Sequence, residues 1–321
     1  MRTLQTVVTV TTAAALSLGL SACGTNEPSA DGGTVSLTNC GRTVTLPAPA
    51  ARGVTVNQGA TESALTVGAG DQLVGTAYLD DAIAPALQAA YDKVPVLAPK
   101  YPSLEQVLTV HPDLVAASYS SAFGDKGIGT REELAGLGIA TYVSPFGCEN
   151  KDDRPAASWE AIAGEVSDYG VLFGRSAQAD EVNTRMRQQL SDLERDAHGK
   201  GVRIFWWDNG TDTPSAGAGQ GGPQLIMDAV GATNVFADQP GNWADVSWEQ
   251  VLRADPEVIV LIDADFSSAD SKKAYLQADP VLKNLTAVRE QSYLVLPFSE
   301  STPGARTIDG AVALSDHLGS R

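Results

Sequence analysis

Between Ser158 and His198 the sequence carries no strand signal, while on either side short β-branched runs alternate with helical stretches. That asymmetry limits the folds available more than any other feature. Alternation implies α/β units with mostly parallel pairing. A long, mostly polar helical stretch between two such halves implies two lobes and a bridge. In the first half, 44–46, 54–57, 73–78, 94–97, 114–118 and 141–144 read as strands, with helices over 61–67, 103–110 and 131–137. Ser158 caps a helix reaching about Phe173, Gly174 interrupts it, and 177–196 continues with Val182, Met186 and Leu193 on one side. The second half repeats the alternation, with strands at 203–208, 258–262 and 293–296 and helices near 223–230, 247–254, 272–276 and 307–317. The expected fold is α/β: a first lobe over 36–170, a connector helix over 171–199 and a second lobe over 200–321.

The two halves also echo each other in sequence. Ser103-Leu104-Glu105-Gln106-Val107-Leu108, followed by His111-Pro112-Asp113-Leu114-Val115, recurs as Ser247-Trp248-Glu249-Gln250-Val251-Leu252, followed by Asp255-Pro256-Glu257-Val258-Ile259. Each copy reads as a capped helix, a Pro-containing turn and a buried strand. Ser-x-Glu-Gln is close to a capping box with the Glu one place short. The plain reading of each Glu is therefore a carboxylate favoured by the helix dipole.

The first 35 residues have a different character. Arg2 is the only charge in the first 22, an apolar and small-residue run spans 7–20, and Leu20-Ser21-Ala22-Cys23 follows. A basic start, a short apolar stretch and small residues before a cleavage point describe a signal peptide over 1–22, not a spanning helix. Leu-Ser-Ala-Cys resembles the lipobox of bacterial lipoproteins, which implies lipidation of Cys23; an ordinary secretory signal is the alternative. Residues 23–35 then form a solvated tether. Two further cysteines remain, Cys40 and Cys148. An even remainder in an exported chain points to one disulfide, with two buried thiols as the alternative.

Composition removes several function classes. The 321 residues hold 22 Lys plus Arg against 39 Asp plus Glu, a formal net charge of −17, and such a surface repels nucleic-acid phosphates. Three scattered histidines supply no metal cage. Gly217-Ala218-Gly219-Gln220-Gly221-Gly222 satisfies Gly-x-Gly-x-x-Gly but lies too far beyond its strand for a dinucleotide turn, and reads as a flexible loop at a cleft rim. Asp80-Asp81 and Asp152-Asp153 read as solvated loops. No nucleophile-elbow, zincin or phosphate-loop motif occurs.

Taken with the lipobox and the connector, the paired Ser-x-Glu-Gln-Val-Leu motifs make residues 36 to the C-terminus resemble the periplasmic binding proteins of ABC importers for ferric siderophores, haem and cobalamin. The resemblance implies two lobes joined by one rigid helix, no enzymatic activity and no covalently bound cofactor. It also implies an exported monomer, lipid-anchored at the outer face of the cytoplasmic membrane. The transported ligand is expected to be a ferric chelate or a corrinoid-sized cofactor. Glu105 and Glu249 match the family's glutamates that dock on permease arginines. The cleft is expected where strands end between the lobes. Its candidates are Gln58, Tyr78, Tyr101 and Tyr119 in the first lobe, and Trp207, Trp243, Glu300 and Arg306 in the second. Trp243 sits where cobalamin-type members carry a ligand-contacting Trp, and Arg306 matches a cleft Arg suited to an anionic ligand. Other cargo, such as a deazaflavin precursor, and an exported α/β enzyme are the alternative readings.

Overall fold

The alternating runs do become strands. The computed structural model describes residues 33–321 except Asp125 and Asp265; the expected signal peptide, Cys23 and most of the expected tether lie outside the described residues. The first lobe opens with a hairpin, β1 (Val35–Asn39) and β2 (Arg42–Leu46). Its two-residue turn places Cys40 at φ 50° and Gly41 at φ 70°, the doubly left-handed turn that matches the twist of the flanking strands. Five parallel strands follow: β3 (Gly53–Val56), β4 (Leu73–Ala77), β5 (Val96–Ala98), β6 (Leu114–Ala117) and β7 (Ala140–Val143), in the spatial order β5-β4-β3-β6-β7. Both β3 and β6 are buried along their whole length, as continuous apolar strands in a sheet covered on both faces should be.

The hairpin is tied to this sheet twice. The Asn39 amide donates to the Val143 carbonyl at 2.7 Å and accepts from the Val143 N–H at 2.9 Å, imitating a strand partner. A disulfide then joins Cys40 to Cys148, closing a sequence separation of 108 residues.

The second lobe contains β8 (Arg203–Asn209), β9 (Ser215–Gly217), β10 (Thr233–Asn234), β11 (Trp243–Asp245), β12 (Val258–Asp263) and β13 (Tyr293–Pro297). The order is β11-β9-β8-β12-β13, with β10 also beside β8. Parallel pairs form its centre, and β9 and β11 add antiparallel edges. Alternate residues of β8 and β12 feed opposite faces. Trp206, Val258, Val260 and Ile262 join one core, and Phe205, Trp207, Ile259 and Leu261 join the other.

Between the lobes the chain runs through helix Trp159–Leu172, reverses at Gly174 (φ 64°), and returns as helix Ser176–Asp196. The two pack against each other so closely that a Cβ at Gly170 would come within 2.6 Å of that of Ala179. Asn183 locks the pair, donating to Ala163 O and Ser167 Oγ, both at 3.0 Å. In the returning helix, Ala179 packs in the first lobe's core, while Met186 and Leu193 pack in the second's. Its partner is split likewise, with Tyr169 and Leu172 on one side and Ile162 on the other. The connection is thus one crossing helix braced by a second, and resists bending better than one helix alone.

The sequence echo extends into three dimensions. Ser103 and Ser247 both form complete capping boxes, closed by Gln106 and Gln250. Gln completes the box where Glu appeared one place short, leaving Glu105 and Glu249 exposed in the first turn. After each helix, His111 (φ 45°) and Asp255 (φ 39°) turn the chain ahead of a proline. Asp113 accepts from the Arg52 N–H and Glu257 from the Arg203 N–H, at 3.1 Å in both lobes. The side chains of Arg52 and Arg203 reach back to the carbonyls of His111 and Asp255.

Candidate functional site

Parallel strands deliver their carboxyl ends to one edge of a sheet, where loops enclose a ligand. In the first lobe those ends carry Gln58 after β3, Asp80 after β4, Ser118 and Tyr119 after β6, and Ser144 after β7. All of them line a cavity of about 200 Å³. The opposite wall comes from the second lobe, with Asn242 and Trp243 at β11, Phe298 after β13, and 302–304. Glu165, on the bracing helix, forms part of the lining. The cavity therefore lies between the lobes.

Several local features shape it. Ser118 Oγ accepts from the Ala60 N–H at 2.9 Å and satisfies the start of helix Gln58–Thr66. Gly147 is required where it stands, because a Cβ there would lie 1.9 Å from the Ser118 carbonyl oxygen. That contact presses the 145–148 loop, which carries Phe146 and the disulfide's Cys148, against the end of β6. Gln58 is 2% exposed; its amide nitrogen donates to Glu62 and Ala82 O, while its amide oxygen has no hydrogen-bond partner. A buried acceptor left open in a cavity wall is a place for a ligand donor.

Electrostatics in the cleft are acidic. Burial pushes the Glu165 carboxyl up to about 7, with Ser144 pulling it down and Asp168 adding to the rise. Asp208, at the end of β8, is raised by burial and held down partly by Asn209 and Lys272. Tyr119 keeps 37% of its surface exposed, yet low-polarity surroundings, then Asp80, Tyr101, Tyr78 and Asp208, hold its phenol far above the ordinary value. It stays a neutral hydrogen-bond donor. Tyr78 and Tyr101 meet edge to face at 4.8 Å, and the Lys100 ammonium lies 4.3 Å from the Tyr78 ring centroid.

The structure thus brings Gln58, Tyr119 and Trp243 to the cavity, with Tyr78 and Tyr101 beside Tyr119. Five expectations are corrected. Trp207 is fully buried: its indole N–H donates to the carbonyls of Asn209 and Gly210, and its ring packs against Trp248. Trp206, on the other face, is equally buried, because both faces of this sheet are covered. Arg306 and Glu300 are taken up by each other. Arg306, 8% exposed, pairs with Glu300 at 2.7 Å, Glu62 at 3.3 Å and Asp81 at 3.9 Å, and donates to Ser299 Oγ at 2.6 Å. Glu62 and Asp81 belong to the first lobe, so this network fastens the lobes together and commits both terminal nitrogens of the guanidinium within the protein. The Asp80-Asp81 loop is accordingly part of the cleft, while Asp152-Asp153 is exposed. The glycine-rich segment is packed, not flexible: a Cβ at Gly219 would lie 2.1 Å from Ala237 O. Among the described residues no group of three or more His, Cys, Asp or Glu is placed to hold a metal ion.

The same overall fold is found in known proteins. A sequence model described as periplasmic binding protein matches residues 54–299. The chain belongs to that family. A vitamin B12-binding protein of Yersinia pestis is 27% identical over 234 residues, 72% of this chain and 76% of its own length. A periplasmic binding protein from Veillonella parvula superposes with a TM-score of 0.77 at 26% identity, covering 90% of this chain and 99% of the other. An Fe3+-hydroxamate transport protein of Saccharomonospora viridis gives a TM-score of 0.72, also at 26% identity, covering 89% and 99%. The family is one of binding proteins, and membership implies an extracytoplasmic location.

Proposed function

We propose that the protein is the substrate-binding component of an ABC importer, capturing an iron-siderophore, haem or cobalamin-like ligand between its lobes and delivering it to the permease. The observation that carries this reading is the interlobe cavity, with aromatic walls and the open Gln58 oxygen. The B12 and Fe3+-hydroxamate proteins among its relatives support a bulky chelate as cargo. Aromatic faces supply contact area, and hydroxyl, amide and carboxyl groups fix orientation. A ligand of this size exceeds the cavity of about 200 Å³, so binding opens the cleft against the braced connector and the Arg306 network.

Docking falls to Glu105 and Glu249, one per lobe, on capped helices that aim both carboxylates outward. Permease arginines would receive each in paired charge-assisted hydrogen bonds. Substituting Glu105→Ala with Glu249→Ala is expected to leave ligand affinity intact and abolish stimulation of the importer's ATPase. Lost ligand affinity, or unchanged stimulation, contradicts this role. Anchoring is assigned to a lipid on Cys23; a Cys23→Ala chain that still sediments with membranes after a salt wash overturns it.

A further inference from the structure

The cavity between the lobes has a neighbour. On the connector side a second cavity of about 500 Å³ is lined from both lobes and from the crossing helix, which presents Val182, Arg185, Met186 and Gln189 along one face. Four segments border both cavities. Helix Gln58–Thr66 gives Gln58 and Ser63 to the first and Thr66 to the second, and the bracing helix gives Glu165 to the first and Val166 to the second. The loop after β4 and the segment beyond β13 divide in the same way, Asp80 from Ala84 and Gly304 from Ala305. Between the two cavities stands the Arg306 network. Glu62 accepts from Gln58 of the first cavity at 3.0 Å and from the Ala84 N–H of the second at 2.8 Å, and pairs with Arg306 at 3.3 Å. Ser299, which lines the first cavity, donates its N–H to Asp81 and accepts from Arg306, which lines the second.

Resting on the transport reading above, we propose that this network is a removable partition. Ligand entry releases Arg306 from Glu62 and Asp81 and joins the two cavities into one site, whose connector-side half takes an apolar flank of the chelate. Sites for small molecules occupy roughly 300–1,000 Å³, so the first cavity alone falls short and the joined space does not. Release strands neither charge. Arg306 keeps Glu300 of its own lobe at 2.7 Å, and Glu62 keeps Gln58 and the Ala84 N–H. Two buried groups of the partition, the Gln58 amide oxygen and the Arg306 Nε–H, have no hydrogen-bond partner among the described residues and become available to the ligand. The second cavity's walls of Ala84, Leu87, Val166, Val182, Met186 and Ile308 suit hydrocarbon.

Calorimetric titration of the full chain with cyanocobalamin, haemin and a ferric linear trihydroxamate tests this. Gln189 is half-buried and Ala86 exposed, and both line the second cavity but not the first. For whichever probe binds, Gln189→Phe and Ala86→Phe narrow that cavity and should each weaken binding about tenfold. Glu62→Gln loosens the partition and should tighten binding about fivefold, because the open form is then less costly to populate. Unchanged affinity in either folded phenylalanine variant confines the ligand to the first cavity; it overturns the partition and leaves the transport reading standing. Equal or weaker binding by Glu62→Gln overturns it too, and decides alone if neither phenylalanine variant folds. Failure of every probe to bind removes the chelate-transport reading and the partition with it.

Discussion

Replacing Arg306 by methionine removes the one cation found among the described residues of a buried cluster while keeping a side chain of similar length. At 3.3 Å, and with the effective dielectric of about 20 that suits protein sites, the Arg306–Glu62 attraction alone is on the order of 5 kcal/mol. Most of that offsets the cost of burying the two charges, so the net loss is smaller. Truncating one partner of such a pair costs about 3–5 kcal/mol, because the other charge stays buried and uncompensated. Glu62, Glu300 and Asp81 can escape that cost by taking up protons. Burial already raises the Glu62 and Glu300 carboxyls, and Arg306 is the main influence restraining both. Without it they rise further. A carboxyl whose folded pKa is raised contributes stability below its unfolded pKa and loses it as pH rises through the folded value. The variant's deficit should therefore be larger at pH 8 than at pH 5. Urea unfolding at both values, with and without Glu62→Gln, measures this. In the Arg306→Met background Glu62→Gln should restore about 1–2 kcal/mol, since it removes an orphaned charge. A pH-independent loss below about 1 kcal/mol, with no coupling to Glu62, would refute the interlobe fastening.

Further outcomes follow from the same geometry. Trp243→Ala and Tyr119→Ala should each weaken ligand binding by roughly 1–3 kcal/mol in a fluorescence titration with little change in melting, whereas Trp207→Ala should lower stability by about 3–5 kcal/mol; reversed effects would exchange their roles. Glu165 titrates near pH 7 in the fold, so its contribution is fully present below about pH 4.5 and is lost as pH rises through about 7. The unaltered protein should lose about 3 kcal/mol over that window that Glu165→Gln does not, and parallel denaturation curves for the two would contradict it. Reducing Cys40–Cys148 releases a long loop, worth on the order of 4–5 kcal/mol in the chain-entropy model, and a melting temperature unchanged by reductant would contradict that contribution.

Most of the architecture was legible because its signals are local. Apolar β-branched runs fix the central strands, and Ser or Thr caps fix helix starts, so the observed elements fall close to their expected ranges. The strand β1 escaped, and so did the edge strands β9, β10 and β11, which are two or three residues long and held by tertiary pairing. The cleft was legible where a residue directly follows a strand, as with Gln58 and Tyr119. It was not legible where occupancy depends on distant partners. Nothing near Arg306 in sequence indicates that Glu62 and Asp81 of the other lobe would claim its guanidinium. Trp206-Trp207 invited the inference that one ring faces a ligand, but a sheet covered on both sides buries both. Glu165 reads as an ordinary helical carboxylate; only the packing of its helix across the lobe junction brings it to the cavity.

The central claim, that a chelate occupies the space between the lobes, is tested most directly by native mass spectrometry of the protein purified from a host supplied with iron and corrinoid. The account predicts one bound metal chelate per chain, lost when Tyr119→Ala and Trp243→Ala are combined. A chain without adduct under these conditions, or an adduct that survives loss of both aromatics, would contradict it.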